Sequence, residues 1–99
     1  MFIIFLAFSD NRSKAAELMD AHKKWIREGL ESGEFLLVGS LAGGAGGAIL
    51  ARSESREAID ARIACDPFVT KRVVSATVHE FVPGQAAPNL RFLLDQEAA

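Results

Sequence analysis

The chain has 99 residues, 49% of them hydrophobic and 24% charged, with a formal net charge of −2. Basic and acidic residues are interspersed, and no Lys/Arg patch or polybasic run stands out, which argues against a nucleic-acid partner and against an anionic-membrane surface. A lone cysteine, Cys65, excludes an internal disulfide, argues against a Cys-based metal set, and fits a reducing cytoplasmic setting.

The opening "MFIIFLAF" (Met1–Phe8) alternates two apolar faces, Phe2, Ile4, Leu6 and Phe8 on one and Ile3, Phe5 and Ala7 on the other. Eight residues are too few to span a bilayer, and neither a basic n-region nor a small-residue cleavage site accompanies them, so the segment reads as a buried strand and not as a leader. "SDNRS" then offers a turn and an N-cap near Ser13, and a helix is expected from about Lys14 to Leu30, closed by Gly33 in a left-handed conformation. At about 100° per residue, Ala15, Leu18, Trp25 and Ile26 fall on one flank of that helix, while Lys14, Asp20, Lys23, Lys24 and Arg27 fall largely elsewhere. His22 lands near the centre of the apolar stripe, where a leucine would pack better.

"EFLLVGSL" (Glu34–Leu41) reads as a second strand, "AGGAGG" (Ala42–Gly47) as a flexible hairpin connector, and "AILAR" (Ala48–Arg52) as a third strand. "SESREAIDARIAC" gives a short amphipathic helix capped by Ser53 or Ser55 and stopped at Asp66, because Pro67 disfavours the α conformation in the residue before it. "RVVSATVHEFV" (Arg72–Val82) is a fourth strand whose even face (Val74, Ala76, Val78, Val82) is mostly apolar and whose odd face mixes Val73, Ser75, Thr77, His79 and Phe81. After "PGQAAP", the segment "NLRFLLDQEA" reads as a terminal helix or docking arm. A single domain over residues 1–99 is therefore expected, with its core at 1–83 and an arm at 84–99.

The order β-α-β-β-α-β is the ferredoxin-like, split-βαβ plan, an α+β fold with a four-stranded antiparallel sheet. Two helices cover one face of such a sheet. The second apolar face of the first strand then needs a cover, since monomers rarely expose a patch of that size, and a homodimer packing sheet against sheet supplies it.

In a split-βαβ fold the two helices lie side by side, so the carboxylate of Asp66, at the end of the second, can approach His22 on the first. A carboxylate beside an imidazole fixes its tautomer and supports its charged form, which makes a general acid/base. Against this stand two plainer readings: a half-buried histidine satisfied by backbone, and an Asp-Pro turn whose carboxylate bonds nearby N–H groups. Gly39 and Ser40 interrupt the second strand, where glycine often marks close approach of a ligand, and Ser40 can donate to a substrate oxygen. The glycines form no phosphate-binding pattern, and two histidines on different elements make no metal set. By its position Trp25 reads as core, Cys65 as small-residue packing, and His79 as either cleft or solvated edge.

"AH" with its neighbouring aromatic (Ala21, His22, Trp25), "GEFL" (Gly33–Leu36), the glycine-rich hairpin, "ES-REA", and "DPF" (Asp66, Pro67, Phe68) ahead of a valine-rich strand resemble the YciI-like, or YCII-related, proteins over residues 1–83. The resemblance implies a ferredoxin-like subunit that dimerises into an α/β-barrel-like assembly. It also implies a His–Asp active site, falling here on His22 and Asp66, with Gly39, Ser40, Phe68 and Trp25 as substrate contacts. Many relatives carry "GPL" where this chain has "GSL". Related proteins eliminate halide from chlorinated muconolactones, and the wider superfamily includes muconolactone isomerases.

The function expected is that of a small enzyme without a cofactor, an acid/base isomerase or a halide- or water-eliminating lyase on a lactone-type metabolite. Hydrolysis through a covalent intermediate fits less well, because no activated nucleophile is visible, and no cofactor motif accompanies redox chemistry. Two alternatives use the same residues: a small-metabolite-binding module, and a dimerisation domain in which His22 and Asp66 form only a buried pair.

Overall fold

A computed structural model of the chain describes residues 1–94. It contains β1 (Phe2–Phe8), α1 (Ala15–Ser32), β2 (Phe35–Ser40), β3 (Gly46–Ala51), α2 (Arg56–Ala64), α3 (Pro67–Thr70) and β4 (Val74–Glu80). One sheet in the order β2-β3-β1-β4 joins the strands, and every neighbouring pair is antiparallel. This is the α+β, ferredoxin-like arrangement expected from the element order.

β1 is central, and its even residues Phe2, Ile4 and Leu6 are buried, so the helices lie on that face. Trp25 from α1, Ile59 and Ile63 from α2 and Phe68 from α3 complete the core against Ile49 and Phe35. A bulge between Phe35 and Leu37 lets Phe35, Val38 and Ser40 share the helix face, since they pair with Ala51, Ile49 and Gly47, while Leu37 turns outward and is 67% exposed. Ile3, Phe5 and Leu50 are half-buried on the face away from the helices, where Phe5 meets His79 edge-on at 6.0 Å.

Two helix ends follow from sequence chemistry. Gly33 closes α1 with φ +84°, and its N–H bonds the carbonyl of Leu30 at 3.2 Å. Ser55, one of the two expected caps, starts α2 by accepting from the N–H of Ala58 at 3.1 Å.

Several boundaries differ from expectation, α1 running on to Ser32 and β4 stopping at Glu80 among them, and three have a local cause. β3 begins at Gly46, two residues early, because Gly46 backs onto β1. A Cβ there would lie 1.8 Å from the Leu6 carbonyl oxygen, so only glycine permits the approach. α2 stops before Asp66 as expected, but Pro67 then opens a separate one-turn helix, α3, with Asp66 as its N-cap. β4 begins at Val74 and not Arg72, because Arg72 takes φ +58° and turns the chain into the strand.

Beyond β4 the chain runs past the open end of β1, with the N–H of Phe81 bonded to the Met1 carbonyl. It docks by burying Leu93 and by setting Phe92 under the Arg52 guanidinium at 5.8 Å. The end of the expected arm, residues 95–99, lies outside the described residues. Among those residues no helix is long and apolar enough to cross a membrane.

Candidate active site

The junction between α2 and α3 carries one half of the site. Because Asp66 precedes Pro67, its backbone is extended (φ −72°, ψ 122°), and its carboxylate swings back to accept from the Phe68 N–H at 3.0 Å. This cap holds Asp66 fully buried. The same oxygen, Oδ1, lies 2.7 Å from Nδ1 of His22, across 44 residues of chain. The second oxygen, Oδ2, is buried and takes no hydrogen bond from the described residues.

α1 carries the other half. His22 has a side chain only 12% exposed, and its ring lies flat on Phe68, with centroids 3.9 Å apart and planes 4° apart. Trp25, one turn on, stacks more loosely behind it at 5.8 Å. Trp25 is itself anchored, donating from Nε1 to the Arg62 carbonyl at 2.7 Å, and Arg62 reaches Glu34 with two contacts of 2.6 and 2.9 Å. With a proton on Nδ1 donated to Asp66, the neutral imidazole keeps its lone pair on Nε2. The aromatic stack and the carboxylate together fix the plane of the ring.

His22 and Phe68 line a cavity of about 330 Å³ between α1, the end of the sheet and the glycine-rich hairpin. Its walls are mainly apolar, with Leu6, Phe8, Met19, Ile26 and Val38 among them. Gly39 and Ser40 border it from β2, and Gly46 and Gly47 from β3. Trp25 does not: it is buried in the core behind His22, so any effect it has on a ligand passes through the ring it stacks on. His79 lies exposed on the opposite face of the sheet, and Cys65 is exposed outside the cavity.

Among the cavity residues not singled out in the sequence, two are charged, Arg12 and Lys23. The sole hint in the sequence was their place beside the helix start and beside His22. Among the described residues no group of three or more His, Cys, Asp and Glu side chains is placed to hold a metal.

Residues 1–82 match the YCII-related domain. The chain belongs to that family. Among solved structures, this YCII-related chain is similar in fold to 5-chloro-2-hydroxyhydroquinone dehydrochlorinase (TftG) from Burkholderia phenoliruptrix AC1100, in its complex with 2,5-dihydroxybenzoquinone. The TM-score is 0.71 at 17% identity, over 84% of this chain and 94% of that one. No curated protein matches it in sequence.

Proposed function

We propose that this YCII-related protein is a proton-transfer enzyme, an eliminating lyase or isomerase, acting on a small oxygen-bearing ring. The observation that carries this reading is the 2.7 Å contact between His22 Nδ1 and buried Asp66 on the wall of an apolar cavity. The volume, about 330 Å³, lies at the low end of ligand pockets, roughly 300–1,000 Å³, and suits a single substituted ring. That the fold neighbour is a dehydrochlorinase holding a dihydroxyquinone supports elimination from a hydroxylated or lactone ring.

In the proposed step His22 Nε2 takes a proton from a ring hydroxyl, or from the carbon beside a carbonyl. From the carbon beside a carbonyl the released pair forms a C=C bond and expels chloride from the adjacent saturated carbon; from an enolic hydroxyl it forms C=O, the enol C=C shifts one bond along and chloride leaves the saturated carbon at its far end. Either way the substrate loses HCl, its proton on His22 and its chloride in solution. Asp66 stabilises the imidazolium that forms. In an isomerisation His22 returns the proton to a different carbon and nothing leaves. Ser40 is assigned a hydrogen bond to the substrate oxygen on which charge develops.

The test is chloride release from 5-chloro-2-hydroxyhydroquinone and from a chlorinated muconolactone, for the wild type and His22→Gln. Loss of an oriented general base is expected to lower kcat/KM by about 10²–10⁴, with the melting temperature showing the variant folded. A variant within threefold of the wild type would rule His22 out as the base. Binding of 2,5-dihydroxybenzoquinone without turnover of any ring in the panel would favour a metabolite-binding module instead.

A further inference from the structure

We propose that the cavity holds its ligand through an anionic oxygen group, a carboxylate or its equivalent on the ring, and that Arg12 is the residue that selects it. The proposal deepens the reading of this cavity as the substrate site and rests on it.

Arg12 and Lys23 are the charged side chains on the wall besides His22, and no Asp or Glu lines the cavity among the described residues. Neither cation takes part in the ion pairs found there, which join His22 to Asp66, Arg56 to Asp60 and Arg62 to Glu34. Both residues are exposed at the rim of the cavity, so an apolar ligand that filled the space would gain nothing from either cation. A ligand with a negative oxygen group at that rim compensates them instead.

The two cations are not equivalent. Arg12 sits on the short turn Arg12–Lys14 ahead of α1, and its guanidinium lies over the Phe8 ring, with Cζ 4.4 Å from the centroid. That contact holds the head group beside the cavity before any ligand arrives. On its other flank the guanidinium meets the bare backbone of the hairpin: a Cβ on Gly44 would come to 3.4 Å from Nη2. A Cβ at that distance would make only an ordinary contact, so the hairpin backbone borders the Arg12 head beside the cavity without being shaped for it. A planar fork with paired N–H donors matches two oxygens sharing one charge, whereas Lys23 adds only a mobile point charge next to His22.

The experiment is calorimetric titration of the full chain with 2,5-dihydroxybenzoate and with its methyl ester, two probes of the same ring that differ by one charge. The acid is expected to bind the wild type more tightly than the ester, and more weakly as salt rises. Arg12→Gln should weaken the acid by about ten- to a hundredfold, the range for one charge-assisted hydrogen-bonded contact, and leave the ester within about twofold. Arg12→Lys, which keeps the charge and loses the fork, should fall between the two. Equal affinity for acid and ester, an equal loss of both in Arg12→Gln, or binding of neither overturns the proposal. Chloride release that depends on His22 but not on Arg12 would overturn this inference alone. Charge-selective binding through Arg12 with no turnover of any ring would leave it standing and remove the enzyme reading.

Discussion

Replacing Asp66 separates two things the carboxylate does. In Asp66→Ala the α3 cap is lost, worth about 1 kcal/mol, and His22 Nδ1 is left part-buried without its 2.7 Å acceptor, which costs about 1–3 kcal/mol. The sum is about 2–4 kcal/mol, less whatever is regained by no longer burying a charge, and corresponds to a fall of roughly 10–25 °C for a domain of this size. Asp66→Asn behaves differently, because an amide oxygen in place of Oδ1 still accepts from both His22 and the Phe68 N–H. Its melting point should drop by no more than about a third as much, and the Nδ1–H tautomer of neutral His22, read from its ring nitrogen shifts, should be unchanged. Turnover should nonetheless fall by about 10²–10⁴, because a neutral amide does not stabilise an imidazolium. Thermal melts, ¹⁵N spectra and chloride release on the three proteins check each part. If Asp66→Asn keeps turnover within threefold, the charge of Asp66 has no part in the chemistry. If Asp66→Ala melts within 1 °C of the wild type, the contacts at Oδ1 are not those described.

Gly46→Ala should destabilise by at least about 3 kcal/mol in a denaturant melt, since it combines φ +147° with a Cβ 1.8 Å from a β1 carbonyl; a loss under 1 kcal/mol would contradict the Ala7–Gly46 pairing. Ser40→Ala should leave stability within about 0.5 kcal/mol, because the residue is exposed, yet weaken 2,5-dihydroxybenzoquinone binding by roughly three- to tenfold; unchanged affinity would remove Ser40 from the ligand contacts. We propose further that a second copy of the chain covers the face bearing Ile3, Phe5, Leu37 and Leu50, so light scattering at micromolar concentration should give twice the 10.7 kDa chain mass, and Leu37→Lys should lower it. A monomer mass for the wild type would end that proposal.

The element order was legible because each element announces itself locally: alternating apolar residues in β1, an apolar stripe in α1, Gly33 as a stop and the Asp-Pro break after α2. What escaped has the same origin throughout. α3 has four residues, too few to show a period, and Asp66 reads equally well as the end of one helix or the cap of another. Gly46 belongs to β3 because of what lies across from it, and glycine carries no strand propensity to reveal that. The His22–Asp66 approach was readable from topology, since split βαβ brings the helices together. The Phe68 face on His22 and the Arg12 stack on Phe8 were not, because they depend on side-chain directions across distant segments. Trp25 shows the limit most clearly: its spacing from His22 put it in the core, the family resemblance put it against substrate, and the structure buries it behind the imidazole.

The remaining alternative, a pair kept only to hold the fold, sits poorly with how the carboxylate is placed. Capping a one-turn helix needs one oxygen and no charge, and serine or asparagine serves there as well. Asp66 is instead fully buried, with Oδ1 shared between the cap and His22 and Oδ2 receiving no donor from the described residues. A buried ion pair is seldom a net gain over well-packed apolar residues, so stability gives little reason to set a charge there. The partner it was given also lines an open, ligand-sized space, its ring held by a flat stack on Phe68. If the pair were only structural, His22→Leu with Asp66→Asn should match or exceed the wild-type melting temperature and leave affinity for 2,5-dihydroxybenzoquinone intact. On the reading proposed here the double variant keeps its fold and loses both affinity and turnover, because the nitrogen facing the ligand is gone.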